Sequence, residues 1–148
     1  MNARRRRVTS ALLIGFAVWD LILAAGALAF PDLWFRMFHG VPRVDPQALL
    51  ARTGALWAAF AIFHFIAWRR WQSAPVWLAI VGGMRLGEIF ADPVYAMLAA
   101  NTTSLGRLGL LGAGVVNLVV AWFFIRGFKL ATKAPATPPP AVAARVAA

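Results

Sequence analysis

The stretch PVWLAIVGGMRLGEIFADPVYAMLAA, residues Pro75–Ala100, decides how the whole chain is read. It is apolar enough and long enough to cross a bilayer, where about 20 residues span a hydrocarbon core of ~30 Å. Yet it carries Arg85, Glu88 and Asp92. An ionisable side chain inside a span costs roughly 2.5–3.5 kcal/mol on insertion, and such groups face a bundle interior or mark function. The stretch therefore demands partners on other helices. Arg85, Glu88 and Asp92 follow i, i+3, i+7 spacing and share one helical stripe, and Arg85 and Glu88 can pair along the helix. Pro75 is a favourable first helical residue. Asp92-Pro93 predicts a kink or an early end.

Three further apolar segments flank it. Reading outward, spans are expected at about 8–30, 48–68, 75–100 and 105–126, within a transmembrane domain covering 8–127. Pro31 closes the first span, Arg69-Arg70 the second, and Arg126-Gly127 the fourth. Short connections favour antiparallel neighbours, so the fold class is all-α, an integral-membrane four-helix up-down bundle. In the first connecting loop Leu33, Trp34, Met37 and Phe38 fall on one helical face, which predicts a short helix lying in the interface. Asn101-Thr102-Thr103-Ser104 reads as a polar, capping-prone loop, and its match to a glycosylation sequon is read as incidental.

Charge orients the spans. The net charge is +10 at pH 7. Arg4, Arg5, Arg6, Arg7, Arg69, Arg70, Arg126, Lys129, Lys133 and Arg145 all fall before the first span, between the second and third, or after the fourth, where no acid occurs. The remaining arginines, Arg36, Arg43, Arg52, Arg85 and Arg107, are matched by Asp20, Asp32, Asp45, Glu88 and Asp92. The positive-inside rule turns that partition into four passes with both ends cytoplasmic. The expected location is a bacterial inner (plasma) membrane. Residues 1–7 form a basic cytoplasmic segment, and residues 128–148, rich in Ala and Pro, predict a disordered cytoplasmic tail.

Composition excludes several classes. The chain is 61% hydrophobic, with a mean hydropathy of +0.71, beyond what a soluble domain hides. A pI near 11.9 in a soluble protein would suggest nucleic acid; here the basic residues flank spans, so the expected partners are the lipid bilayer and other membrane subunits or a second copy, not nucleic acid. Without cysteine there is no disulfide and no thiolate chemistry. No catalytic triad, HExxH, P-loop or dinucleotide fingerprint occurs, so no catalytic residue, metal ligand or cofactor is assigned. His64 and His39 lie too far apart along the fold to ligate one haem iron from opposite sides, and His64 is read as a packing residue. Arg4–Arg7, the apolar run and Ala27-Leu28-Ala29 imitate a cleavable signal peptide. The length of the run, and Asp20 within it, favour a retained span.

Helix rise gives depths. Asp20 lies ~18 Å from the inner end of its span, Arg85 ~15 Å, Glu88 ~20 Å and Asp92 ~26 Å, with Asn117 also near mid-depth. Arg52 and Arg107 lie within a turn of the outer ends. Three acids, Asp20, Glu88 and Asp92, thus balance three arginines, Arg52, Arg85 and Arg107. The expectation is one internal polar network in which Asp20 and Asn117 meet the stripe of the third span. Its role is either to hold helices together or to form a small-molecule or proton-handling site; the remaining alternative is isolated charges, mainly Arg52 and Arg107, snorkelling to the interface. Gly83 and Gly87 form a GxxxG pattern roughly opposite that stripe, and Gly109 and Gly112 continue the theme in the fourth span. Close helix packing within the monomer is the expected use, a subunit contact the alternative.

The opening Arg52-Thr53-Gly54 of the second span, the run Gly82-Gly83-Met84-Arg85-Leu86-Gly87-Glu88 and the glycine-rich fourth span together resemble the small bacterial four-span membrane proteins of the DoxX-like type. The resemblance covers roughly residues 8–127 and is one of overall plan. It implies a four-helix membrane fold, some members of the group being linked to quinone-reducing membrane complexes; it transfers no individual functional residue. The functional reading from sequence is a non-enzymatic accessory or structural membrane subunit. The alternative is a transport or quinone-linked protein using Asp20, Arg85 and Glu88.

Overall fold

The computed structural model describes residues 2–99 and 101–133. Among these there are five helices and no strand: α1 (Ala3–Ala29), α2 (Pro31–His39), α3 (Leu49–Arg70), α4 (Val76–Leu98) and α5 (Ser104–Thr132). α1, α3 and α5 are long and apolar enough to cross a membrane. α4 has 23 residues, but Arg85, Glu88 and Asp92 keep it from qualifying by itself. The outer surface is apolar: Ile22, Ile62, Phe90, Leu108 and Val115 are each more than half exposed. Water tolerates no such continuous coat. This is an α-helical membrane protein.

The helices begin and end where local chemistry dictates. The Asn2 side chain accepts from the Arg5 amide at 3.0 Å and starts α1 ahead of the expected span, so the basic segment is itself helical. Arg4, Arg5 and Arg6 in that first turn oppose the helix dipole. Phe30 alone separates α1 from α2, which starts at Pro31 and ends at Gly40 in the left-handed region (φ 67°). Ala48, at φ 54°, adopts the same region just before α3. The turn is held by Asp45, whose carboxylate accepts from the amides of Leu49 (2.8 Å) and Leu50 (3.1 Å). Losing both acceptors in Asp45→Ala is expected to cost about 1–2 kcal/mol, as for a helix cap, read as a lower unfolding midpoint in detergent.

α4 runs through Asp92-Pro93 to Leu98, within the span expected at 75–100, so the proline does not bring an early end. Pro93 removes one backbone donor, but its ring is accommodated against Gly114 of α5, 3.5 Å from where a Cβ would stand. α5 continues to Thr132, so residues 128–132, expected in a disordered tail, are helical; residues 134–148 lie outside the described residues.

α1 packs chiefly on α3, and α4 on α5; α3 and α4 share a smaller contact. The start of α1 meets the end of α3, where Trp71 Nε1 donates to Ser10 Oγ at 3.2 Å. The end of α1 meets the start of α3, where Ala27 and Leu28 press on Gly54. Gly82 sits against Ala121, Phe124 and Ile125, and Gly127 against Leu78. The apolar core of Leu13, Ala67, Trp71, Leu78, Val81, Val120 and Phe124 lies toward the arginine-bearing end.

The packing glycines are therefore not the expected ones. A Cβ at Gly83, Gly87, Gly109 or Gly112 would meet nothing within 4 Å. Arg85 points inward, so residues opposite it on α4 point out, and neighbouring Gly82 turns about 100° into the α5 interface. Close approach within the chain falls instead to Gly54, Gly82, Gly106, Gly114 and Gly127.

Candidate functional site

One level beyond the apolar core, each of the four long helices contributes one polar side chain to a common point: Asp20 from α1, His64 from α3, Arg85 from α4 and Asn117 from α5. Asp20 and His64 are fully buried, Arg85 is 3% exposed and Asn117 5%. Each occupies the inner face of its helix, one or two turns from a core residue (Leu13 or Ala17, Ala67, Val81, Val120). The apolar stripe that packs the helices thus also aims these groups at one another.

Arg85 is the centre. Its Nη2 donates to Asp20 Oδ2 in a buried ion pair. Its Nε approaches His64 Nε2 at 3.4 Å and its Nη1 approaches Asn117 Oδ1 at 3.5 Å. The guanidinium also lies over the Phe16 ring, 4.6 Å from the centroid, a cation–π contact that strengthens out of water. His64 Nδ1 donates to the Phe60 carbonyl at 2.8 Å and stands 3.4 Å from Asp20 Oδ2. That arrangement suits a ring with its proton on Nδ1 and its Nε2 lone pair toward Arg85. Asp20 Oδ1 has no partner among the described residues.

The wider network expected from the sequence is not assembled. Among the described residues, the only ion pairs involve Asp20. Glu88 and Asp92 are half-buried one and two turns beyond Arg85; Glu88 lies within reach of the Trp57 indole. Arg52 is exposed. Arg107 is exposed too, its Nε donating to Thr102 Oγ1 at 2.9 Å. Both arginines stand in the first turns of their helices, where a long side chain reaches water more easily than the bundle centre. Of the seven residues expected in the network, the structure unites Asp20, Arg85 and Asn117, and adds His64. The signal for His64 was its position within an apolar span, where a ring with two nitrogens must find partners.

A second polar clasp closes the other end. Thr103 caps α5 by accepting from the Gly106 amide at 3.0 Å, and donates to the Met37 carbonyl at 2.8 Å. Its own amide donates to the Phe38 carbonyl at 3.0 Å. His39 Nδ1 donates to the Asn101 carbonyl at 2.8 Å. In α2, Trp34 and Phe38 turn inward, Trp34 resting on Gly26 and 5.2 Å from the Trp57 ring, while Leu33 and Met37 stay exposed.

Chemically, the four-helix polar point is closed. Two surface grooves along α1 and α5 include none of the four residues, and Phe16 stands between one of them and Arg85. No three His, Asp or Glu side chains converge to hold a metal among the described residues. The arrangement joins one buried polar side chain from each of the four long helices through Arg85. Comparison with known proteins finds no matching family model and no significant match among curated proteins or solved structures.

Proposed function

We propose that this chain is a four-pass protein of a bacterial inner membrane, with both ends cytoplasmic, that serves as a non-catalytic structural or accessory subunit. The carrying observation is the single closed polar point built from one residue of each long helix. It ties four helices together through side chains that are all buried. The charge partition supports the orientation. Asp20 supports retention of α1, because cleavage after residue 29 would strip Arg85 of its carboxylate. The outward glycines Gly83, Gly87, Gly109 and Gly112 support association, since small residues on a lipid-facing helix admit another helix closely.

Gentle detergent extraction followed by mass analysis of the intact particle tests the reading. The expected result is a particle larger than the monomer that dissociates when Gly83 and Gly109 are both changed to Leu. A strictly monomeric protein without partners overturns it.

The orphan Asp20 Oδ1 favours one rival, a proton-handling role. Asp20→Asn separates the two. A structural role lowers stability in detergent, whereas proton handling leaves folding intact and abolishes proton flux in vesicles.

A further inference from the structure

We propose that the seam between α1 and α5 is a binding site for one anionic phospholipid, its phosphate held at the basic end and one acyl chain lying along the helices. The proposal rests on the membrane reading above. α1 and α5 are the least intimately packed neighbours of the bundle, since α1's main partner is α3 and α5's is α4. Their separation leaves two grooves in line.

The first, about 370 Å³, is lined by Arg4, Arg5, Arg126, Trp122 and Phe123 with Val8 at its inner margin. No acid lies in the sequence around these arginines, and none forms an ion pair among the described residues. Two of the guanidinium groups are fixed on aromatic rings, Arg5 at 5.3 Å from the Phe123 centroid and Arg126 at 5.0 Å from that of Trp122. Arg5 Nε is buried without a hydrogen-bond partner. Uncompensated cations normally spread into water. Gathered at one groove, with Arg5 half-buried and Arg4 and Arg126 exposed at its mouth, they fit a multiply charged oxyanion, and guanidinium forks match phosphate.

The second groove, about 250 Å³, begins one turn deeper and is lined by Ala11, Leu12, Gly15, Phe16, Trp19 and Val116. It is apolar and continues the same seam. From Arg4 to Trp19 is ~22 Å of helix, a reach suited to a headgroup followed by a hydrocarbon chain. A free phosphate would use only the basic end. Gly15 lines this groove, and a Cβ there meets nothing within 4 Å, so a side chain added at this position starts in open space.

The test is native mass spectrometry of the full-length protein in neutral detergent, with phosphatidylglycerol or phosphatidylcholine added, beside a thermal-shift titration with inorganic phosphate. One phosphatidylglycerol is expected to stay bound where phosphatidylcholine does not. Arg5→Gln with Arg126→Gln is expected to weaken it roughly 10- to 30-fold, from about 1 kcal/mol per basic residue. Gly15→Leu is expected to weaken the lipid while leaving any phosphate response unchanged. Equal retention of the two lipids, or wild-type retention by the double arginine variant or by Gly15→Leu, overturns the proposal. Inorganic phosphate displacing the lipid at micromolar concentration also overturns it, in favour of a free-anion site. A protein that stays in solution without detergent overturns the membrane reading itself.

Discussion

Arg85→Met is expected to lower the stability of the folded protein by about 3–5 kcal/mol, the usual result of removing one partner from a buried ion pair. The magnitude follows from burial: Asp20 is fully enclosed, so the variant leaves a carboxylate with neither water nor cation. His64 stands 3.4 Å away but already gives its Nδ1 proton to Phe60, so it compensates little. Asp20→Leu alone is expected to cost a similar amount. Combining the two removes both charges, and the double variant is expected to recover most of the loss, because apolar replacement of a whole buried pair is often neutral or favourable. Reversible unfolding in mixed micelles gives the four values of this cycle. Strictly additive losses would show that Asp20 and Arg85 do not act on one another.

Gly106→Ala is expected to cost about 1–3 kcal/mol, the range for overpacking a tight contact. An added Cβ would collide with the Phe38 carbonyl oxygen, and that obstacle is backbone. The same carbonyl accepts the Thr103 amide, so moving it loosens the clasp between α2 and α5. The loss outweighs the roughly 1 kcal/mol that Ala gains over Gly in a helix. Gly109→Ala, one turn further on, meets nothing and is expected to be neutral or to gain up to about 1 kcal/mol. Melting of the two variants side by side checks the contrast. Equal midpoints would mean that α2 is not held where it lies.

Depth counting made the central contact legible. Asp20 and Arg85, 65 residues apart, reach matching levels by helix rise alone, and an acid and an arginine at one level inside an apolar bundle have few other partners. Asn117 follows for the same reason. His64 does not, because four residues before the expected end of its span at 68 it counts as lying nearer the inner surface than Arg85, among aromatic side chains that read as packing. Arg52 and Arg107 were misplaced because a residue near a helix end has two solvents within reach of its side chain, and only packing decides between them. The glycine faces were legible in principle. Once Arg85 faces inward, Gly83 and Gly87 face outward, yet the GxxxG spacing draws attention to them rather than to Gly82. Pro93 reads as a kink or an early end when α4 is considered alone; the small residue that receives its ring, Gly114, lies on another helix.

The burden carried by α4 bears on biosynthesis. Under the proposed topology α4 emerges from the ribosome after α1 and α3 have already entered the bilayer, and its guanidinium finds a counterion waiting there. Lateral release of α4 into lipid thus depends on a segment translated more than fifty residues earlier. A nascent chain lacking that segment is expected to integrate its third long helix less efficiently, the roughly 2.5–3.5 kcal/mol insertion cost of Arg85 being left without a counterion.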